Sequence, residues 1–148
     1  MAADTKVTMG SNDIYHTRKK IQRIKVKGKT MIAGAAGLDF YIQQFFLFLK
    51  QGGEPKMQRR DIDEHTEDLN FEGLVLCSEG ILLYDDTLTA AKIEEPFYAI
   101  GSGGQAARAA MTMGADPKQA IKIASKIDSA TGLPIVTLKL SKDKTNAR

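Results

Sequence analysis

Phe97-Tyr98-Ala99-Ile100-Gly101-Ser102-Gly103-Gly104 is the stretch on which the reading of this chain turns. Aromatic and β-branched residues followed by three glycines in four positions predict a strand that ends in a tight turn, and the alanine-rich segment beyond predicts a helix. Ser102 is the only side chain on that turn, close to a helix N-terminus, where backbone amides stabilise anions or developing oxyanions. Most glycine-rich turns are connections and nothing more. Gly101-x-Gly103-x-x-Ala106 also fits a loose dinucleotide fingerprint. That fingerprint needs a return to a parallel strand and an acidic residue further on, whereas Asp116-Pro117 here opens a second helix.

Working outward, helices are expected over Gln105 to Met113 and Pro117 to Lys126, the second with proline in its first turn. A last strand is expected over Pro134 to Leu140, and Ser141 to Arg148 is a polar tail. Upstream of the glycine turn, Phe71 to Ser78 and Ile81 to Tyr84 read as a strand pair turning at Glu79-Gly80, with another strand over Thr87 to Ile93. Glu54 to Asn70 is charged, and its mixed cluster Arg59 to Glu64 reads as a solvated loop or short helix. Leu38 to Gln51 carries Leu38, Tyr41, Ile42, Phe45, Phe46 and Leu49 at helical spacing and stops at Gly52-Gly53. Phe40 and Phe48 widen that stripe, which predicts burial on a second side.

Further upstream, Thr30 to Gly37 is a strand of small residues, entered from a hairpin turn at Gly28-Lys29. Before it, period two from Lys20 groups Lys20, Gln22, Ile24 and Val26 on one face, so Lys20 shares a side with apolar residues. Met9 to Thr17 reads as loop, and Met1 to Thr8 as a short strand. The order of elements fits antiparallel sheet covered by helices better than alternating βαβ units.

One domain over residues 1–140 and a tail over 141–148 is the natural division of 148 residues. A net charge of +3 is too small to imply nucleic acid or a membrane surface, and no apolar run approaches a membrane span. The basic hairpin Arg18 to Lys29 lacks the aromatic platform that single strands stack on. Cys77, the lone cysteine, reads as a structural thiol in a reducing, cytoplasmic compartment.

Four stretches, in order and in register, together resemble one family. They are Ala2 to Thr8, Lys19-Lys20-Ile21, Ile32-Ala33-Gly34-Ala35-Ala36-Gly37, and Ala99 to Gly104 with its helix. The family is that of the N-terminal-nucleophile hydrolases of the proteasome β-subunit and HslV peptidase type. The resemblance implies an α+β fold, a four-layer αββα sandwich of two antiparallel sheets, assembled as a homo-oligomeric ring. It also implies an unfoldase ATPase as partner and polypeptide as substrate.

In that family a threonine at the mature N-terminus attacks the scissile carbonyl and its own α-amine takes the proton. By resemblance, Lys20 is the buried lysine beside the nucleophile, and Asp4 is its carboxylate partner. Gly34 supplies an oxyanion-hole amide, Ser102 bonds the threonine amine, and Asp128 with Thr131 completes the network. No organic cofactor is implied. A monovalent cation is, held by the main-chain carbonyls of Ile127, Ala130 and Leu133, although the loop Ser129 to Pro134 departs from the HslV pattern.

The resemblance places the family's threonine strand further upstream of Asp4 than Met1, Ala2 and Ala3 reach. Thr5 and Thr8 stand at the wrong end of such a strand, and His16 and His65 read as loop residues with no claim on Ser102. The expectation is therefore a truncated sandwich with an open sheet edge and no amidase activity in the chain as written. Alternatives are a non-catalytic ring-forming or partner-binding subunit and, as a third class, nucleic-acid binding through the basic hairpin.

Overall fold

A computed structural model describes residues 1–7, 18–53 and 71–140. Thr8, His16, the Arg59 to Glu64 cluster, His65 and the tail over 141–148 lie outside the described residues.

Two antiparallel sheets are present. The larger is a meander of β2 (Ile21–Val26), β3 (Lys29–Gly37), β4 (Phe71–Cys77), β5 (Gly80–Tyr84) and β6 (Ala90–Ile93), each strand beside its sequence neighbour. The β2–β3 hairpin turns through Lys27 and Gly28, both at positive φ, +49° and +79°, the pairing that matches the twist of the flanking strands. The turn lies one residue earlier than the sequence predicts.

Helix α1 (Asp39–Lys50) lies on one face of this sheet. Gly52 and Gly53 end it at φ +88° and +77°, with their amides returning to the carbonyls of Leu49 and Phe48, as anticipated. Phe45, Phe46, Phe48 and Leu49 are buried against Ile24, Ala33, Ala35, Phe71 and Val75. The small residues of the sheet are what let the aromatic layer descend. A β-carbon at Gly73 would stand 2.6 Å from Phe45 Cζ, so the Phe45 ring occupies the space where a side chain would be. Burial on a second side of α1 holds for Phe48 but not for Phe40, which is 49% exposed.

The opposite face of β3 is buried as well, with Ile32 and Gly34 fully covered. Facing it is the smaller sheet, β1 (Ala2–Asp4) paired with β7 (Ile135–Thr137). The hairpin of α2 (Gly104–Thr112) and α3 (Pro117–Ala124) packs behind, α3 touching both short strands. Its core is mostly alanine, Ala107, Ala110, Ala120 and Ala124 with Met111. The helices can approach closely because little side chain separates them. Asp116 caps α3 reciprocally with Gln119. The layers run helix, five-stranded sheet, two-stranded sheet, helix pair: the expected α+β sandwich of two antiparallel sheets.

Two expectations need correction. Phe97 to Ile100 is half-buried, with Phe97 and Ala99 on the α2–α3 core, but it is not a strand. Among the described residues no backbone hydrogen bond ends on it. Its composition suits a strand, but composition alone does not make one without a hydrogen-bonded neighbour. Lys20 stands one residue before β2 begins, outside the strand's alternation. Ile24 and Val26 face α1, whereas Lys20 reaches Asp4 on the other sheet.

The edge of β1 away from β7 is open among the described residues. Met1 and Leu138 exchange both backbone hydrogen bonds, at 2.8 and 2.9 Å. Alternation then turns the backbone groups of Ala2 and Asp4 away from β7.

Candidate functional site

The site lies where β1, the start of β2, the glycine turn and the loop after α3 meet. Asp4 is its centre. Its carboxylate takes the Lys20 ammonium on both oxygens, 2.9 Å at Oδ1 and 3.0 Å at Oδ2. Oδ2 also accepts the amides of Lys6, at 3.0 Å, and Gly132, at 3.1 Å. The two side chains are only 12% and 25% exposed, and every charge is matched by a directed partner, the condition under which a partly buried pair is tolerated.

Asp128 is a second centre, joined to the first by one short loop. Its Oδ2 accepts the hydroxyls of Ser102, at 2.7 Å, and Thr131, at 2.6 Å, and its Oδ1 accepts the amide of Ala130 at 3.3 Å. Burial pushes the Asp128 carboxyl up, but the hydrogen bonds from Thr131 and Ser102, with those from the Ala130 and Thr131 amides, outweigh it and leave its pKa below the ordinary value. Gly103 must be glycine here, since a β-carbon would run into the Thr131 hydroxyl. Gly101, at φ +83°, donates its amide to Glu72 Oε2 at 2.9 Å. That bond ties the turn carrying Ser102 to the large sheet.

Gly34 lies on the inner face of β3, where a β-carbon would stand 3.0 Å from Ile21 Cγ2 and 3.2 Å from Met1 Sδ. The amide that reaches the Lys20 carbonyl is that of Ala35, at 3.3 Å. By alternation the Gly34 amide turns along the sheet toward Leu74, its register partner on β4. What Gly34 contributes in this arrangement is the close approach of Met1 and Ile21 to β3 beside the Lys20 backbone.

Ile127, Ala130 and Leu133 fall on the loop after α3, and no hydrogen bond from the described residues ends on their carbonyls. In the same loop the Lys6 ammonium donates to the carbonyl of Ser129. Groups of His, Cys, Asp and Glu able to hold a metal are absent among the described residues.

The structure thus joins Asp4 to Lys20, and Ser102 to Asp128 and Thr131, with the 128–132 loop between the two sets. Sequence reasoning missed Lys6, Gly132 and Glu72. Lys6 and Gly132 carried a signal, a second lysine two residues from Asp4 and a glycine in a short loop. Glu72 carried none, being an ordinary outward residue of a strand.

The basic hairpin is largely engaged. Arg18 pairs with Asp39, Lys29 pairs with Glu79 at 3.1 Å, and Arg23 donates to the Lys139 carbonyl. No helix among the described residues is long and apolar enough to cross a membrane.

No protein-family model matches the chain, and no curated protein sequence is significantly similar to it. Solved structures do match its fold. The eukaryotic HslV of Trypanosoma brucei superposes with a TM-score of 0.67 at 22% identity, over 91% of this chain and 88% of that one. Thiobacillus denitrificans BPH in complex with epoxomicin gives 0.65 at 19% identity, with the same coverage. The Anbu complex of Pseudomonas aeruginosa, described as a helical assembly, gives 0.64 at 13% identity over 90% of this chain and 73% of that one. The chain therefore has the sandwich fold that HslV, BPH and Anbu share.

Proposed function

We propose that this chain is a subunit of a proteasome-like peptidase assembly, and that Asp4, Lys20, Ser102, Asp128 and Thr131 are the frame of a threonine-type amide hydrolysis. The observation that carries the reading is the chelated Asp4–Lys20 pair, linked through the Gly132 amide to the loop that presents Asp128 and Thr131 to Ser102. In the chemistry this frame suits, a hydroxyl oxygen on an N-terminal residue attacks the amide carbon and its proton passes to that residue's α-amine. The amine of the substrate leaves, and water then splits the ester. Lys20 would hold positive charge beside the attacking oxygen, Asp4 would keep Lys20 aimed, and Gly34 would let β1 lie close against β3 at that point. Ser102 would steady the α-amine, itself fixed by Asp128 and Thr131.

Among the described residues, the hydroxyls of Thr5, Ser102 and Thr131 are each committed as donors. Thr5 Oγ1 bonds the Pro134 carbonyl at 3.1 Å, and Ser102 and Thr131 both bond Asp128. Thr5 faces a carbonyl, and Ser102 and Thr131 face a carboxylate made a weaker base by its lowered pKa, which favours the second reading, a ring-forming subunit that does not itself cut. Incubation of the 148-residue chain with a fluorogenic peptide amide separates the two. The expected result is no turnover, and turnover that disappears in Lys20→Ala would overturn it. Native mass spectrometry of the same sample checks for the second copies of this chain expected as its partners, a ring or an open helical array.

A further inference from the structure

Charge is divided between two layers of the molecule. Over 117–127 the chain carries Lys118, Lys122 and Lys126 and no acidic residue. A spacing of four sets them in one row along α3 and its closing turn, about 12 Å from first to last. All three are exposed and without an ion pair among the described residues. Nothing local accounts for the row, since like charges four apart repel and Lys118 stands in the first turn, against the helix dipole. Beside it, Ile123 and Ile127 are 40% and 72% exposed. The opposite balance lies at β6, the outermost strand of the large sheet. Asp85 and Asp86 precede it, Glu94 and Glu95 follow it, and Lys92 is the one cation between 85 and 95. Glu94 answers Lys92 at 3.7 Å, whereas Asp86 and Glu95 are exposed and take no ion pair among the described residues. The Asp85 amide reaches the Thr89 carbonyl, so Asp85 stands level with Thr89, about 16 Å along the strand from Glu94. β6 packs on β5, and α3 on α2, β1 and β7; no ion pair among the described residues joins the two surfaces within one chain.

We propose that the acidic ends of the β5–β6 hairpin of one copy dock on the lysine row of α3 in the next copy. The contact rests on the reading of the chain as a subunit of an assembly, and names the surfaces that build it. Their spans agree: acidic ends about 16 Å apart bracket a row of about 12 Å, and the outer ammoniums, on long flexible stems, can splay toward them. Because the two surfaces differ, the contact is head to tail. Successive copies then close into a ring or continue as an open row. Ile123 and Ile127 favour a protein occupant over nucleic acid, whose phosphates would engage the lysines and leave the isoleucines in water.

Carbodiimide, which joins an amine directly to a carboxylate, tests the contact on the unaltered chain. In an equal mixture of isotope-labelled and unlabelled protein, cross-linked peptides should join Lys118, Lys122 or Lys126 to Asp86 or Glu95 and carry one labelled and one unlabelled half. Oligomers without those cross-links would overturn the proposal and leave the assembly reading standing; a chain that stays monomeric at every concentration tested would overturn both. Charge exchange is the second arm. Lys118→Glu with Lys122→Glu and Lys126→Glu, and separately Asp86→Lys with Glu95→Lys, should each weaken self-association about a hundredfold, read by analytical ultracentrifugation. Mixing the two proteins should restore it, because each reversed surface then meets its opposite. Reversed proteins that stay apart when mixed, or that assemble alone as the parent does, would overturn the contact. So would lysine-dependent binding of a mixed-sequence oligonucleotide at physiological salt with no cross-link between copies, which would assign the row to nucleic acid.

Discussion

The two faces of β3 are held by different kinds of force. Toward α1, β3 offers Ala33 and Ala35 to a packed aromatic layer in which Phe45 lies 5.4 Å from Phe71 and 5.2 Å from Tyr84, centroid to centroid. Toward β1, it offers Gly34 to a region organised by two carboxylates and the donors gathered on them. Ionisation shows the contrast. Burial pushes the Tyr84 hydroxyl up, aided by Cys77 nearby, whereas at Asp128 hydrogen bonds overcome burial and draw the pKa down. One face is stabilised by excluding water. The other is stabilised by replacing water with directed partners, and such an arrangement gains specificity more than strength.

Breaking the apolar face should have the largest effect. Phe45→Ala removes a fully buried ring and is expected to cost about 4 kcal/mol, read as a lower midpoint in urea. Because β3 is buried on both faces, amide protection in α2 and α3 should fall together with that in α1. Protection surviving in α2 and α3 alone would show the two faces to be separate cooperative units. Gly73→Ala drives a methyl into the same ring and should also destabilise, while Gly73→Ala with Phe45→Leu should cost less than the sum.

The polar face breaks more gently. Lys20→Met leaves Asp4 with its two amides and no counter-charge, an expected loss of about 2 kcal/mol. Lys20→Arg, which keeps the charge, should recover part of it. A loss as great as that for Phe45→Ala would mean the pair is a structural keystone of the whole fold, and the contrast between the faces would fail.

The same contrast decides what could be read from the sequence. Water exclusion leaves a periodic trace, so α1 with its glycine stop, the β4–β5 pair and the paired helices are legible in the spacing of Phe45, Phe46 and Leu49 or in Asp116-Pro117. Directed partners leave almost none. That Asp128 belongs with Ser102, 26 positions away, comes only from resemblance, and the clamp of Glu72 on Gly101 comes only from the structure. Phe97 to Ile100 shows the limit from the other side. Its composition favours a strand, but a strand is a relation between two segments, and no partner is written into either one. Lys20 fails differently: its inward direction is right, but the alternation used to infer it does not extend to the residue before β2.

A smaller effect belongs to α3, whose packing against β1 and β7 joins the apolar and polar sets. Asp116→Ala removes the carboxylate that accepts the Gln119 amide while leaving the Asp116 amide on Gln119 Oε1, and should cost about 1 kcal/mol. Hydrogen exchange should quicken first at Gln119 and then along the helix. Exchange that quickens equally in β3 would place α3 among the elements that unfold only globally.

The smallest effect sharpens the comparison through pH. Asp128 has a folded pKa below its ordinary value, so the folded state favours its ionised form. Its contribution is present above the unfolded-chain value, about 3.9, and is lost as pH falls through the depressed folded value. Asp85, lowered chiefly by the Thr87 hydroxyl with the Thr87 and Thr89 amides, has the same sign, so acid sensitivity alone does not locate the cause. Ser102→Ala with Thr131→Val removes both hydroxyl donors from Asp128 and leaves Asp85 untouched. The double variant should lose stability near neutral pH and lose less than the parent on going from pH 5 to pH 3. Because Asp128 is only half-buried, solvent screening keeps the difference small. Parallel pH profiles for the two proteins would mean that the hydroxyls hold the loop in place without holding its charge.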